Sequence, residues 1–200
     1  MRTITIIFLI LVFKSSVAQI DFISEKDKNP LHPEIANQIE KIHPESDFQF
    51  RFWVDGSNLR QNKKTLVLMS QKDGKWYCES YKLDYNKSEG FQLKKVNELK
   101  SDCDSTWNYF MKNNILILPD MDLLKSKFLS IKENGDTSKL VIADGKVYSF
   151  EFLKKGKYKR IEYHCPFSYF KEYPNIIELS CISNIIKLIY RKLEIKGEPC

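Results

Sequence analysis

His164 and Cys165 stand side by side in the stretch "KRIEYHCPFSYFKEYP", and no other residues of the sequence suggest chemistry more strongly. An imidazole beside a thiol could serve nucleophilic catalysis, or it could belong to a metal site. The alternation in "KYKRIEYHC" predicts instead a β-strand, in which neighbouring side chains point to opposite faces. Cys165 would then face the core with Ile161 and Tyr163, and His164 would face away. The spacing therefore favours a buried thiol next to a surface imidazole over a catalytic pair.

Motifs that would indicate a known chemistry do not occur in the sequence. It contains no C-x-x-C, H-E-x-x-H or G-x-S-x-G pattern and no phosphate-binding glycine loop. The other histidines, His32 and His43, precede the predicted sheet, so a zinc site would have too few ligands at the required spacing. Asp120 and Asp122 in "LPDMDLL" could begin a calcium loop, but no further oxygen ligands complete it, and helix capping is the expected role. We predict no cofactor and no metal site.

The first residues, "MRTITIIFLILVFKSSVAQ", predict a secretory signal peptide over residues 1–18. Arg2 supplies a positive start, residues 4–13 are almost entirely apolar, and small residues ending at Ala18 precede a cleavage point at Gln19. An apolar run of about ten residues is well short of the ~20 that span a bilayer, which favours a cleaved signal over an anchor. We expect a secreted or periplasmic protein that leaves the membrane once the signal is removed.

Charge gives a limited indication of the partner. The 200 residues include 32 basic and 26 acidic side chains, a formal net charge of +6. Loss of Arg2 and Lys14 with the signal would lower this to +4. Nucleic-acid binders concentrate basic residues on one face, so we predict no nucleic-acid partner. The densest basic run, "KKGKYKR", surrounds Gly156 and predicts a lysine-rich hairpin tip rather than a phosphate-binding patch. The partner is predicted to be an unidentified protein or ligand.

The cysteines all follow the predicted signal: Cys78, Cys103, Cys165, Cys181 and Cys200. Export favours oxidation, which allows disulfides. An odd number leaves at least one thiol free or paired with another chain. A domain of this size can also fold without disulfides, with buried reduced cysteines. The sequence leaves the pairing open.

Hydrophobic patterning predicts an α+β fold, a mainly antiparallel meander sheet of about six strands with a C-terminal amphipathic helix packed on one face. The strands are predicted at "FQFRFWVD", "TLVLMS", "KWYCESYKLDY", "EGFQLKKV", "KVYSFEFL" and "KYKRIEYHC". Residues 19–45 are predicted to form a loose polar arm with a short helix at about 33–41, followed by a single domain over 46–200. The last helix, at about 175–196, has apolar residues at three- and four-residue steps.

Two further helical segments are predicted in the middle of the chain. One begins at about Ser105 in "DCDSTWNYFMKNN", where Asp104 or Ser105 can act as the N-cap. The other is a turn or two in "MDLLKSKFLS". The stretch "KENGDTSK" that follows is polar and is predicted to be a loop.

The C-terminal part of the chain resembles small exported proteins of Bacteroidota-type bacteria whose function is uncharacterised. The resemblance lies in "ILPD", "DGKVYSFEF", "KYKRIEYHCP" and "YPNIIELSCISNIIKLI", roughly the last 90 residues. A Leu-Pro-Asp turn there precedes a hairpin, an aromatic strand ending near proline, and a terminal helix. The resemblance implies a secreted or periplasmic location and an α+β fold, and it implies no activity and no site residues.

A binding surface is predicted on the face of the sheet that the main core does not use. Arg51 and Trp53 share that face on the first strand, and Arg160, Glu162 and His164 share it on the last. Tryptophan and arginine are enriched at binding hot spots. The alternative is that a second helix simply buries Trp53.

Three hypotheses for function remain. The favoured one is a non-enzymatic exported module that binds or scaffolds. The second is a hydrolase-type enzyme whose site is assembled from distant residues: Asp120, Arg160, Glu162 and His164. The third is an immunity-type protein that neutralises a toxin. The enzyme hypothesis requires His164 to lie in a cleft with a carboxylate within hydrogen-bond reach and a third group that orients it.

Overall fold

The structure is a computed structural model. It describes residues 33–43, 45–55, 64–86, 90–98, 102–131, 137–138, 140–143, 145–154, 157–193, 195 and 197–200. The predicted signal peptide, its cleavage point at Ala18 and Gln19, and most of the predicted arm lie outside the described residues.

The described residues form helices and strands in the following order along the chain. They are α1 (Pro33–Ile42), β1 (Phe48–Asp55), β2 (Lys64–Lys72), β3 (Lys75–Asn86), β4 (Gly90–Glu98), α2 (Cys103–Lys112), a 3-10 helix (Met121–Lys127), β5 (Ser130–Ile131), β6 (Thr137–Ser138), β7 (Val147–Lys154), β8 (Lys157–His164), α3 (Pro166–Glu172) and α4 (Ile177–Lys192).

Six strands form one antiparallel sheet in the order β4-β3-β2-β1-β7-β8, and β5 pairs separately with β6. Strands β1 to β4 form a meander, and the β7–β8 hairpin returns to pair with β1, which places the first strand near the centre. Asp73 and Gly74 join β2 to β3 with φ values of 49° and 75°, as a tight hairpin turn requires. The predicted α+β fold, with its antiparallel sheet and C-terminal helix, is confirmed.

The main hydrophobic core lies on one face of the sheet. Alternate residues of β1, namely Phe48, Phe50 and Phe52, are buried there together with the inward-facing aromatic residues of β7 and β8. Helix α4 covers this face and buries the predicted apolar stripe, including Ile182 and Ile186. The strand and the helix each hide an apolar surface that neither could hide alone.

The opposite face of the sheet is also covered, which corrects the expectation that Arg51 and Trp53 are exposed. Both side chains are 1% exposed. Helix α1 places Ile35 and Ile39 against a second apolar cluster that includes Trp53 and the outward-facing leucines of β2 and β3. These strands carry apolar residues on both faces, so the second face needs a cover of its own. The helix predicted on a loose arm instead packs on the sheet.

Helix α3 was not predicted from the sequence. It follows β8 directly, with Pro166 in its first turn and Cys165 in the left-handed conformation at φ 41°. This residue reverses the chain at the end of the strand, and proline is favoured at the start of a helix. None of the described helices is both long and apolar enough to cross a membrane.

Two disulfides resolve the pairing that the sequence left open. Cys78 of β3 bonds to Cys103 of α2, and Cys165 at the end of β8 bonds to Cys200. Cys181, which is half-buried on α4, is the free thiol among the described cysteines. Burial, together with the charge of Glu178, raises the pKa of this thiol.

Candidate functional site

A cleft of about 400 Å³ lies beside the end of strand β8. Apolar side chains from four segments form most of its wall: Met121, Phe128, Leu140, Val141, Val147 and Tyr169. The remaining lining side chains carry charge or can acquire it: Asp120, Asp122, Lys125, Glu162 and His164. Three residues of the proposed enzyme site therefore lie at one cleft.

The cleft exists because β8 is the edge strand of the sheet, and a folded-back segment covers that edge. The hydroxyl of Tyr163 donates to the carbonyl of Pro119 at 2.6 Å, and Nζ of Lys159 donates to the carbonyl of Leu116 at 2.9 Å. The backbone N–H of His164 donates to Sδ of Met121 at 3.2 Å. These contacts hold the start of the 3-10 helix against β8. An edge strand without such a cover would offer its free N–H groups to other chains.

Asp120 has a structural role in this arrangement. Its Oδ1 accepts the backbone N–H of Asp122 at 3.0 Å, and its Oδ2 accepts that of Glu162 at 3.2 Å. The residue is buried, and it is the N-cap of the 3-10 helix, as the sequence predicts. Both oxygens are therefore engaged by backbone donors.

Glu162 contributes a carboxylate that is less fully paired. Its Oε1 accepts a hydrogen bond from the hydroxyl of Ser149 at 2.9 Å. Its Oε2 lies 3.8 Å from the guanidinium of Arg160, which is beyond hydrogen-bond distance. The side chain of Glu162 is 32% exposed. The partial exposure leaves this carboxylate reachable from the cleft.

The imidazole of His164 lines the cleft and is half-buried. Among the described residues, neither of its ring nitrogens has a hydrogen-bond partner. The ring has room because residue 145 is a glycine: a Cβ there would lie 3.0 Å from Nε2. A base in acid–base catalysis is normally oriented by a third group, and no described residue orients this ring.

The disulfide of Cys165 and Cys200 forms the support behind His164. A Cβ on Gly145 would lie 1.9 Å from Sγ of Cys165, so the backbone of Gly145 packs directly on the disulfide. The N–H of Cys165 donates to the carbonyl of Lys146 at 3.0 Å, and the N–H of Lys146 donates to Sγ of Cys200 at 3.1 Å. Cys165 is buried and His164 faces the cleft, as predicted, but the strand ends at His164 and the predicted buried thiol of Cys165 is instead part of a disulfide.

The remaining predicted binding residues do not all join the cleft. Arg160 is adjacent through Glu162, whereas Arg51 and Trp53 belong to a buried polar network. The guanidinium of Arg51 donates to Oε1 of Gln49 at 2.8 and 3.2 Å. Burial lowers the pKa of Arg51, and the negative charge of Glu151 opposes this shift in part. This network stabilises the sheet, and it is not a surface.

A second polar cluster, at the end of α1, was missed in the sequence. The carboxylate of Glu79 accepts hydrogen bonds from His43 at 2.9 Å, from Lys95 at 2.5 Å and from the hydroxyl of Tyr81. Burial alone would raise the pKa of Glu79, but the hydrogen bonds from Lys95, Tyr81 and His43 outweigh burial and lower the pKa. Glu79 and Tyr81 share a face of β3, which is the only sequence signal for the cluster. The assignment of His43 to a loose arm concealed it.

Within the described part of the chain, no three histidine, cysteine or acidic side chains are grouped so that they could hold a metal ion. Comparison with models of protein families, with curated proteins and with solved structures gave no match.

Proposed function

We propose that this chain is an exported, non-enzymatic binding protein that takes up a small ligand in the cleft beside β8. The observation that carries the proposal is the cleft itself, about 400 Å³ in volume, with mainly apolar walls and few polar groups. Ligand pockets in proteins commonly have this size and composition. The unpartnered ring of His164 offers the ligand a hydrogen bond.

Two features support export. The sequence begins with a positive residue, an apolar run and small residues ending at Ala18, in the order of a secretory signal. The two disulfides are compatible with an oxidising compartment, in which such bonds persist. The proposed location is therefore the periplasm or the exterior of the cell.

The hydrolase-type alternative has less support from the geometry. Its base would be His164, and in the described residues no carboxylate oxygen accepts a hydrogen bond from that ring. Neither acidic residue of that hypothesis orients the ring: the carboxylate of Asp120 accepts from backbone N–H groups, and that of Glu162 accepts from the hydroxyl of Ser149. The wall of the cleft is better suited to holding an apolar body than to activating water.

A fragment screen by ligand-observed NMR tests the proposal, with a variant that fills the cleft. Val141 lines the cleft and is 75% exposed, so Val141→Trp should fill the cleft without loss of stability. Ile117 is 77% exposed and does not line the cleft, so Ile117→Trp is the matched control. We expect fragments that bind the native chain and Ile117→Trp but not Val141→Trp.

The proposal fails if all fragments bind Val141→Trp as well as they bind the native chain, or if none binds at all. Conversion of a bound fragment, followed by mass spectrometry, would instead favour the enzyme alternative. Competition by a co-purifying protein at the same cleft would favour the immunity-type alternative.

A further inference from the structure

We propose that the ligand of the β8 cleft is an organic cation with an apolar body. This inference rests on the proposed binding function and adds to it the chemical class of the ligand.

The charge of the cleft is the first argument. Three carboxylates line it, those of Asp120, Asp122 and Glu162, against the single ammonium of Lys125. That ammonium is already paired, since Nζ of Lys125 lies 2.7 Å from Oδ1 of Asp122. An organic anion entering the cleft would meet an excess of negative charge, whereas a cation would be attracted.

Glu162 is the carboxylate that a ligand can use. Asp120 is engaged by two backbone N–H groups, and Asp122 is engaged by Lys125. Among the described residues, Glu162 accepts a hydrogen bond from the neutral hydroxyl of Ser149, and its ion pair with Arg160 is long, at 3.8 Å. A ligand ammonium that donates to Glu162 would form a charge-assisted hydrogen bond, which is stronger than a neutral one.

The aromatic wall is the second argument. Phe128 and Tyr169 line the cleft with ring centroids 4.9 Å apart, and Tyr173 stacks on Phe128 behind them at 5.4 Å. The faces of aromatic rings attract cations, and their apolar surface accommodates a hydrocarbon body. Carboxylate and aromatic groups on one cleft are together suited to an ammonium carried on an apolar body.

Three probes of matched shape test the inference: 4-phenylbutylamine, 4-phenylbutanol and 4-phenylbutyrate. They differ in charge and share the apolar body. Isothermal calorimetry at pH 8, with NMR shifts at Val147 and Tyr169 to locate the probe, measures each affinity. We expect the amine to bind about tenfold more tightly than the alcohol, as one charge-assisted hydrogen bond would give.

Variants test the role of Glu162. Glu162→Gln keeps the shape of the side chain and should reduce the affinity for the amine to that for the alcohol. Glu172→Gln, at an exposed position on α3 that does not line the cleft, is the matched control and should change nothing. Thermal melting of each variant excludes loss of fold as the cause.

Each outcome decides the inference. Equal or tighter binding of the alcohol or the butyrate in the cleft would overturn the preference for a cation and would leave the binding function intact. If none of the three probes binds, the inference is overturned, and the cleft-filling Val141→Trp comparison then decides independently whether the cleft binds any ligand.

Discussion

The indole N–H of Trp53 donates a hydrogen bond to Oε2 of Glu151 at 2.9 Å, between side chains on the adjacent strands β1 and β7. The two residues are 98 positions apart in the sequence, and each is 1% exposed. Oε1 of the same carboxylate accepts the hydroxyl of Tyr158 at 2.6 Å. A buried carboxylate is costly unless polar partners surround it, so these bonds are what permits Glu151 inside the sheet. They join three strands on the face beneath α1.

Substitution of Trp53 should therefore reduce stability. We expect Trp53→Ala to lower the free energy of unfolding by about 3–5 kcal/mol, because a large buried side chain is lost. Trp53→Phe keeps most of the volume but removes the donor to Glu151, and should cost about 1.5–3 kcal/mol. Urea unfolding measures both. Tyr77→Ala, at a residue of β3 that is 46% exposed, is the control and should stay within about 0.5 kcal/mol of the native chain. A loss below 1 kcal/mol for Trp53→Ala would show that this face is open.

The period-two pattern of β1 was sufficient to predict which side chains share a face, but it could not show that both faces are buried. Phe50 and Trp53 were correctly assigned to opposite sides. The apolar spacing of Ile35, Ile39 and Ile42 in α1 is a sign of a helix with one buried face, but it does not indicate which surface that face covers. Docking of α1 is a tertiary effect that becomes visible only when the sheet is assembled.

Three residues that line the cleft were named as site residues from the sequence, whereas its form and its other lining residues were not. His164, Glu162 and Asp120 were named from their residue types, and the structure brings them to one cleft. The wall of the cleft comes from the 3-10 helix and from α3, which are short elements whose positions depend on long-range contacts. Disulfide connectivity, which fixes the position of Gly145 behind His164, cannot be deduced from the spacing of cysteines.

The two disulfides should each contribute measurably to stability. They close loops with sequence separations of 25 and 35 residues, for Cys78–Cys103 and Cys165–Cys200 respectively. Restricting the unfolded chain in loops of this length is worth about 3–4 kcal/mol in the entropic model. We expect that replacing either pair by alanine lowers the free energy of unfolding by this order, measured in urea. Cys181→Ala is the control, because both disulfides remain in that variant. Adding reductant should therefore still lower its resistance to urea. Alkylation of more than one thiol in the unreduced, unfolded chain would contradict the pairing.

Gly145 should not tolerate a larger side chain while the second disulfide is present. The Cβ of Gly145→Ala would lie 1.9 Å from Sγ of Cys165, so the chain must shift, at a cost of about 1–3 kcal/mol. Removing both Cys165 and Cys200 sulfurs by alanine substitution should relieve most of that cost. A double-mutant cycle in urea unfolding gives the coupling, which we expect to be at least about 1 kcal/mol. Additive effects would mean that Gly145 does not pack on the disulfide.

Stability should decrease in acid because of Glu79. The folded state lowers the pKa of this carboxyl below its ordinary value of 4.5, since hydrogen bonds from Lys95, Tyr81 and His43 outweigh burial. A carboxyl with a lowered pKa stabilises the fold above its unfolded pKa, and that contribution is lost as the pH falls through the folded pKa. We therefore expect the free energy of unfolding to decline below about pH 4.5 and Glu79→Gln to flatten this decline.

Glu45→Gln is the matched control for this pH dependence. Glu45 also has a lowered pKa, from its hydrogen bond with Lys72, but it is fully exposed and solvent screens the pair. Its substitution should leave the decline of the free energy of unfolding in acid almost unchanged. If the free energy of unfolding of both variants declined in acid as it does in the native chain, the decline would have to come from other carboxyls.

Asp120 should protect the outer edge of the sheet. Its carboxylate accepts the N–H of Glu162 on the edge strand β8 and also caps the 3-10 helix that covers that edge. Asp120→Ala should cost about 1–2 kcal/mol through the lost cap and the unpaired N–H, measured in urea. Because an exposed edge can pair with another chain, the variant should also form larger species as its concentration rises, detectable by analytical ultracentrifugation. Asp102→Ala removes the cap of α2, where the carboxylate accepts from the backbone N–H groups of Asp104 and Ser105 at 3.1 and 3.3 Å and, among the described residues, from no strand of the sheet. It should lose similar stability without association, so association of both variants, or of neither, would remove the edge-protecting role of Asp120.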